Sequence, residues 1–402
     1  MEPQSTGLFI LLMAAFCALL VWVALAKQPV FRVLAACLAF IPAMLFGVAA
    51  VNKYYDYYQT WGSAVSDLGG QNLNTVPVLP RGVPTRQLTA ILGKVTGSKT
   101  AAQLGETVRL SVSGSRSHIV RTVYVFLPPQ YFQTAFLRRR FPAIELINGY
   151  PGQPQTWINV VGIVQAYETL LRDHRVQPVA LVMPDPNGSP NVSLQCLNVV
   201  RGPQDATYLA RDLPGYLSQT LRLQPPGPAW GIAGYSEGGY CAANLALLYP
   251  HQYGYAGVLS GYFVPSDDLL GNPPRIVNPF RGNVKLRRMN TPLDRVTALS
   301  LAVKIPQFWL GAGSSNHHDV RGAQSFQQVV LTRQPDVVLD IEPGGAHTMA
   351  TWRALVPPLL EWMTPNLEQA ALHPRSAQVA GHAKARSKTG IRAVISARAK
   401  AP

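Results

Sequence analysis

Trp230-Gly231-Ile232-Ala233-Gly234-Tyr235-Ser236-Glu237-Gly238-Gly239 is the stretch that orders the rest of this chain. Its centre is G-x-S-x-G. A short apolar run before it reads as a buried strand, and Tyr240-Cys241-Ala242-Ala243-Asn244-Leu245-Ala246-Leu247-Leu248 after it reads as a helix. Strand, tight turn and helix together make a nucleophile elbow, which exposes the serine hydroxyl. Glycines at 234 and 238 remove side chains that would collide in such a turn. The helix start adds a partial positive charge where an oxyanion would form. A plain glycine-rich turn is the bland alternative.

Serine is a weak nucleophile unless a histidine takes its proton and an acid orients that histidine. Behind an elbow of this kind the chain order is Ser, acid, His. Between Ser236 and the C-terminal tail lie His251, His317, His318 and His347. His347 sits in the glycine-rich Glu342-Pro343-Gly344-Gly345-Ala346-His347-Thr348, between strand-like Asp336–Ile341 and a helix-like run from Trp352 to Met363. It is the expected base. The expected acid is Asp319, in Ser314-Ser315-Asn316-His317-His318-Asp319, just past the strand-like Ile305–Gly313. Asp340 is the alternative, and Asn316 a weaker one because it has no charge. Adjacent histidines 317 and 318 without a Cys or Glu cluster do not suggest a metal site. No cofactor is expected. Two backbone N–H donors are needed for an oxyanion hole. The amide of Glu237 is one. The other is expected from Tyr150, in the loop Asn148-Gly149-Tyr150-Pro151-Gly152 that follows the strand-like Pro142–Ile147.

Several segments resemble the esterase family of α/β-hydrolases that includes esterase D-like enzymes and mycobacterial mycolyltransferases. They are Val123-Tyr124-Val125-Phe126-Leu127-Pro128-Pro129-Gln130-Tyr131, Leu146 through Trp157, the elbow with Tyr249-Pro250 closing its helix, and Gly345-Ala346-His347 with Trp352. The resemblance covers roughly residues 105 to 364. It implies an α/β-hydrolase fold, a mostly parallel central sheet flanked by helices, and ester cleavage or acyl transfer. Asn148 stands where His or Asp is commoner, and the acid segment lacks the usual Gly-x-x-Asp spacing.

The 402 residues allow one large domain with appendages. Leu8–Ala26 and Val33–Val51 are each nineteen residues without a charge, long enough to span a bilayer. The short loop between them carries Lys27 and Arg32, which the positive-inside tendency places in the cytoplasm. The domain that follows is then extracytoplasmic, held at the cell membrane, with Tyr54, Tyr55, Tyr57 and Tyr58 as an interfacial belt. A signal peptide ending at Ala26 is the rival reading, and the lack of Lys or Arg in the first seven residues argues against it. Residues 53–104 read as a linker with one helical patch, Thr85 to Val95. Residues 105–364 read as the hydrolase domain, opening on two antiparallel strands joined near Ser113–His118. Cys196 and Cys241 can pair in an oxidising compartment, and two separate thiols are the alternative.

Net charge is +15. Seven basic residues and no acid fall between Gln369 and Pro402, so residues 365–402 read as a basic disordered tail. Such a tail suits anionic lipids or a cell-wall polymer, and nucleic acid is not expected outside the cell. A second basic cluster, Arg275, Arg281, Lys285, Arg287, Arg288 and Arg295, falls in a proline-rich insertion where a lid would lie. It would favour an anionic substrate; a solvated loop is the bland reading. The expectation is therefore a membrane-anchored serine esterase acting on an envelope or lipid-linked ester, with an aminoacyl-phospholipid as one concrete substrate. An acyltransferase and a non-catalytic envelope-binding protein on the same fold are the alternatives.

Overall fold

The computed structural model describes residues 1–69, 99–269 and 276–373. The helical patch expected at Thr85–Val95, Arg275 and the basic residues of the tail lie outside them. The N-terminal helices form one unit and the remaining described elements form another.

In the first unit, α1 (Thr6–Leu25) and α2 (Pro29–Tyr55) make an antiparallel hairpin. Both are long and apolar enough to cross a membrane. The turn between them is shorter than the sequence suggested. Proline at the first helical position is pre-organised for a helix, so α2 begins at Pro29 and takes Arg32 into its first turns. Arg32 Nε reaches back to the Ala26 carbonyl at 2.7 Å and satisfies the end of α1. Phe9 and Phe46 meet edge to face. A short helix α3 (Trp61–Gly69) follows.

The second unit begins with α4 (Lys99–Leu104) and the hairpin β1 (Glu106–Ser113) and β2 (Val120–Leu127). Among the described residues it holds an eight-stranded sheet, completed by β3 (Ala143–Ile147), β4 (Ala180–Pro184), β5 (Gly227–Tyr235), β6 (Tyr253–Leu259), β7 (Gln307–Gly313) and β8 (Val338–Glu342). The strand order is β1-β2-β4-β3-β5-β6-β7-β8. β1 and β2 run antiparallel to their neighbours, and all pairs from β4 to β8 are parallel. Parallel strands are covered on both faces, which is why β3 and β4 are buried at every position and read as apolar runs, broken in β3 only by Glu145. The fold is an α/β-hydrolase fold, and the ends of its parallel strands gather the loops that carry the chemistry.

The covering helices include α5 (Pro154–Asn159), α6 (Ile163–Arg172), α7 (Leu213–Thr220), α8 (Glu237–Leu248), α9 (Val284–Met289), α10 (Pro292–Ala298), α11 (His317–Leu331) and α12 (Met349–Leu372). The last helix continues eight residues beyond the expected domain end at 364. Leu367 is buried, and with Met363 it fills the space left by the missing side chain of Gly231 in β5. Glu368 also pairs with Arg139 at 2.6 Å. Residues 365–372 therefore pack against the sheet, and a tail can begin only after them.

Cys196 and Cys241 are joined in a disulfide that closes a loop of sequence separation 45. Chain-entropy reasoning puts such a closure at about 4 kcal/mol, with measured values commonly 2–4. We expect Cys196→Ala/Cys241→Ala to lower the unfolding free energy by about 2–4 kcal/mol in denaturant titration. A change under about 0.5 kcal/mol would mean that the loop is held in the unfolded chain as well.

Candidate active site

Ser236 joins the end of β5 to the start of α8 with φ 56° and ψ −121°. A non-glycine residue there is strained, and such strain persists only where the surroundings over-determine it. The surroundings are tight: a Cβ on Gly234 would overlap the carbonyl of Gly238, and one on Gly238 would overlap the carbonyl of Ile147. The turn can therefore form only with glycine at both places. The amides of Gly239 and Tyr240 bond back to the Ser236 carbonyl. The amide of Glu237, in the first turn, has no intrahelical acceptor.

His347 lies on the loop between β8 and α12. Its Nε2 is 2.9 Å from Ser236 Oγ, and its Nδ1 is 2.7 Å from Asp319 Oδ2. With the proton on Nδ1 donated to the carboxylate, Nε2 is left to accept the serine hydroxyl. Asp319 sits in the first turn of α11, 6% exposed. Both ring nitrogens are thus occupied, which leaves none for the two alternatives. Asp340 lies within β8 opposite Gly311. Asn316 caps α11, its Oδ1 accepting the amides of His318 and Asp319. His318 is exposed, with Nδ1 3.8 Å from the Asp319 carboxylate. The Trp352 indole packs edge-on to the His347 ring and stacks on Tyr235, the residue before the serine.

The loop after β3 runs beside the serine. A Cβ on Gly149 would lie 3.1 Å from Ser236 Cβ. Tyr150 follows, joined to Pro151 by a cis peptide. Asn148, 1% exposed, donates from Nδ2 to the Gly149 carbonyl at 2.9 Å.

Glu237 contributes more than an amide. Its side chain is buried beneath the loop after β4, where Ser193 Oγ donates to Oε2 and Asn187 Nδ2 donates to Oε1 at 3.2 Å. Burial pushes the carboxyl up to about 7, against the bonds from Ser193 and Asn187 that favour its charged form. Sequence reasoning missed Ser193 and Asn187. Their segment is rich in Asn, Gly, Ser and Pro and reads only as a loop, while their partner is 44 and 50 residues away.

The basic insertion is divided. Arg281 is exposed. Arg287 is paired with Asp267 at 2.8 Å. Lys285, Arg288 and Arg295 line a cavity of about 650 Å³ between α9 and α10, together with Val284, Met289, Asp294, Thr297 and Ala298. None of Ser236, His347 or Asp319 lines it, so these cations do not form the wall at the serine. A smaller, polar cleft of about 310 Å³ begins at Gly152–Gln155, directly after Tyr150, and reaches Tyr124, Asp185 and Arg109.

Residues 118–362 match the family model described as "Putative esterase". An uncharacterized protein of Corynebacterium glutamicum is 25% identical over 350 residues, 83% of this chain and 76% of its own length. The diacylglycerol acyltransferase/mycolyltransferase Ag85A of Mycobacterium bovis is 38% identical over 191 residues, 41% of this chain and 54% of its own. A ferulic acid esterase structure superposes with a TM-score of 0.55 at 16% identity, covering 65% of this chain and 98% of that one. At that identity it speaks for the fold alone. The family match spans the elbow, the loops bearing Asp319 and His347, and strands β2 to β8 of the sheet, and on it the chain belongs to the putative esterase family, the esterase-type enzymes of the α/β-hydrolase fold.

Proposed function

We propose that the protein is a membrane-anchored serine esterase whose catalytic unit faces outward from the cell membrane. The observation that carries this reading is the continuous hydrogen-bonded chain Ser236–His347–Asp319, at 2.9 and 2.7 Å. Ser236 Oγ attacks the ester carbonyl while His347 Nε2 takes its proton. Asp319 holds the imidazole in the right tautomer and stabilises the imidazolium. The amides of Glu237 and Tyr150 receive the tetrahedral oxyanion. The bond to the leaving alcohol breaks as His347 returns the proton to it, and an acyl-enzyme remains. Water, activated by the same histidine, releases the acid.

The hairpin α1–α2 supports anchoring, and the cations Lys27 and Arg32 near its turn support a cytoplasmic turn. The disulfide supports an oxidising compartment. Anchoring would concentrate the enzyme on lipid-linked esters. The basic residues Lys285, Arg288 and Arg295 stand off from the serine and would favour an anionic substrate through longer-range attraction, and aminoacylated phosphatidylglycerol combines an anionic group with a cleavable ester. Replacing Lys285 and Arg288 by Glu should raise KM for an anionic lipid ester about tenfold and leave a neutral ester within twofold. Equal effects on both would remove the anionic-substrate reading.

Acyl transfer is the second reading, supported by the identity with a named acyltransferase. There a second alcohol replaces water. The decisive test is burst-phase release of p-nitrophenol from short and long acyl esters by the wild type and Ser236→Ala, with and without added alcohol acceptors. A burst confined to the wild type supports the acyl-enzyme, and the acceptor dependence separates the two readings. A folded protein with neither burst nor fluorophosphonate labelling would instead be a non-catalytic binder.

A further inference from the structure

The Glu237 side chain plays no part in the chemistry above, yet it is 5% exposed and held by fixed donors. Asn187 Oδ1 accepts the Leu194 amide at 3.0 Å, which sets the amide orientation and turns Nδ2 toward Glu237. The Ser193 hydroxyl donates to the other oxygen, and the Gln195 backbone amide also favours the charged form. Cys196, the next residue, is bonded to Cys241, one turn along α8. Gln195 Oε1 in turn accepts the Ser266 amide at 3.0 Å. The loop after β4 is therefore fastened to α8 twice: covalently at Cys241, and through a buried carboxyl at Glu237. Burying a carboxyl is costly, and apolar packing or the disulfide alone would tie a loop down without that cost. The polar fastening falls on Glu237, whose own N–H is one of the two donors expected at the oxyanion.

We propose that Glu237 is a positioning residue: Ser193 and Asn187 clamp its side chain and thereby hold the 236–237 peptide with its N–H directed at the tetrahedral oxyanion. This rests on Ser236 being the nucleophile. The clamp acts through the backbone, so its contribution is realised in the transition state rather than in substrate binding.

The test uses the full chain in detergent micelles, comparing wild type, Ser193→Ala/Asn187→Ala and Glu237→Gln. Losing an oxyanion donor outright costs roughly 10²–10³-fold, so loosening one should lower kcat of the double variant about tenfold with KM within about twofold. Affinity for a trifluoromethyl ketone should fall by the same factor. In Glu237→Gln, Oε1 can still accept from Asn187 and the new NH2 can donate to Ser193, so kcat should fall by less than in the variants that remove a clamp donor. If the double variant does not fold, Ser193→Ala alone carries the comparison, with a loss of roughly threefold. Unchanged kcat, a rise in KM alone, or a Glu237→Gln variant as impaired as the double variant overturns the clamp. A wild type that fails to label at Ser236 with a fluorophosphonate overturns the nucleophile and the clamp together. Labelling with an unimpaired double variant overturns the clamp alone.

Discussion

Replacing Ser236 with Ala should lower kcat/KM for an activated ester by roughly 10⁴–10⁶-fold, and His347→Ala should lower it nearly as far. The two act as one unit. His347 Nε2 has a single partner to activate, and without it the Ser236 hydroxyl keeps its ordinary, high pKa. The double variant should therefore be little worse than either single one, since the second removal takes away nothing still working. Asp319→Asn should cost less, about 10⁴-fold, because the imidazole can still approach the serine but not in its favoured tautomer. Steady-state kinetics on matched preparations, with fluorophosphonate labelling as the control, measures all four. Additive losses in the double variant, or a Ser236→Ala variant retaining a tenth of the activity, would refute the triad.

The second large effect concerns stability. Glu145 lies in the middle of β3, fully buried, with Tyr253 donating to Oε2 at 2.9 Å. Its other oxygen, Oε1, is buried without a partner. Burial pushes the carboxyl up to about 8, opposed by the Tyr253 bond. A carboxyl whose pKa is higher folded than unfolded contributes stability in full below its unfolded pKa and loses it as pH rises toward its folded pKa. The window here runs from about 4.5 to about 8. A gap of that size is worth on the order of 5 kcal/mol. Glu145→Gln removes the titration while keeping the shape, but it leaves a buried NH2 without a partner. The variant should thus be less stable than wild type at pH 5 by about 1–2 kcal/mol. It should be more stable at pH 8.5, with the difference moving by several kcal/mol between the two. Thermal unfolding followed by near-UV circular dichroism across this range measures the crossing. A difference independent of pH would mean that Glu145 is solvated or already charged.

Local signals carried far in this chain. Glycines at fixed offsets around Ser236 and a histidine in a glycine-rich loop are short-range patterns, so the elbow and the approach of His347 could be anticipated. So could the hairpin of β1 and β2 and the two apolar helices. The acid was harder. Asp319 follows one strand-like run and Asp340 lies near the end of another, and the fold separates them. One lies in the first turn of a helix turned toward His347, the other within a strand. The charged insertion misled differently. Its net charge was legible, but the pairing of Arg287 with Asp267, twenty residues earlier, was not. The end of α12 was missed because Leu367 and Met363 find their place against Gly231, more than 130 residues before them.

The hydrogen bond between Ser236 and His347 joins residues 111 apart, and His347 comes after every strand of the sheet. During synthesis the two apolar helices emerge first, while the elbow is still unmade. Some three hundred and fifty residues must leave the ribosome before the last partner of the serine exists. Until then the nascent chain has no His347 beside Ser236, and the serine stays unactivated. Enzymatic turnover is therefore also a report on completion: only a chain whose sheet has closed as far as β8 can score in the assay.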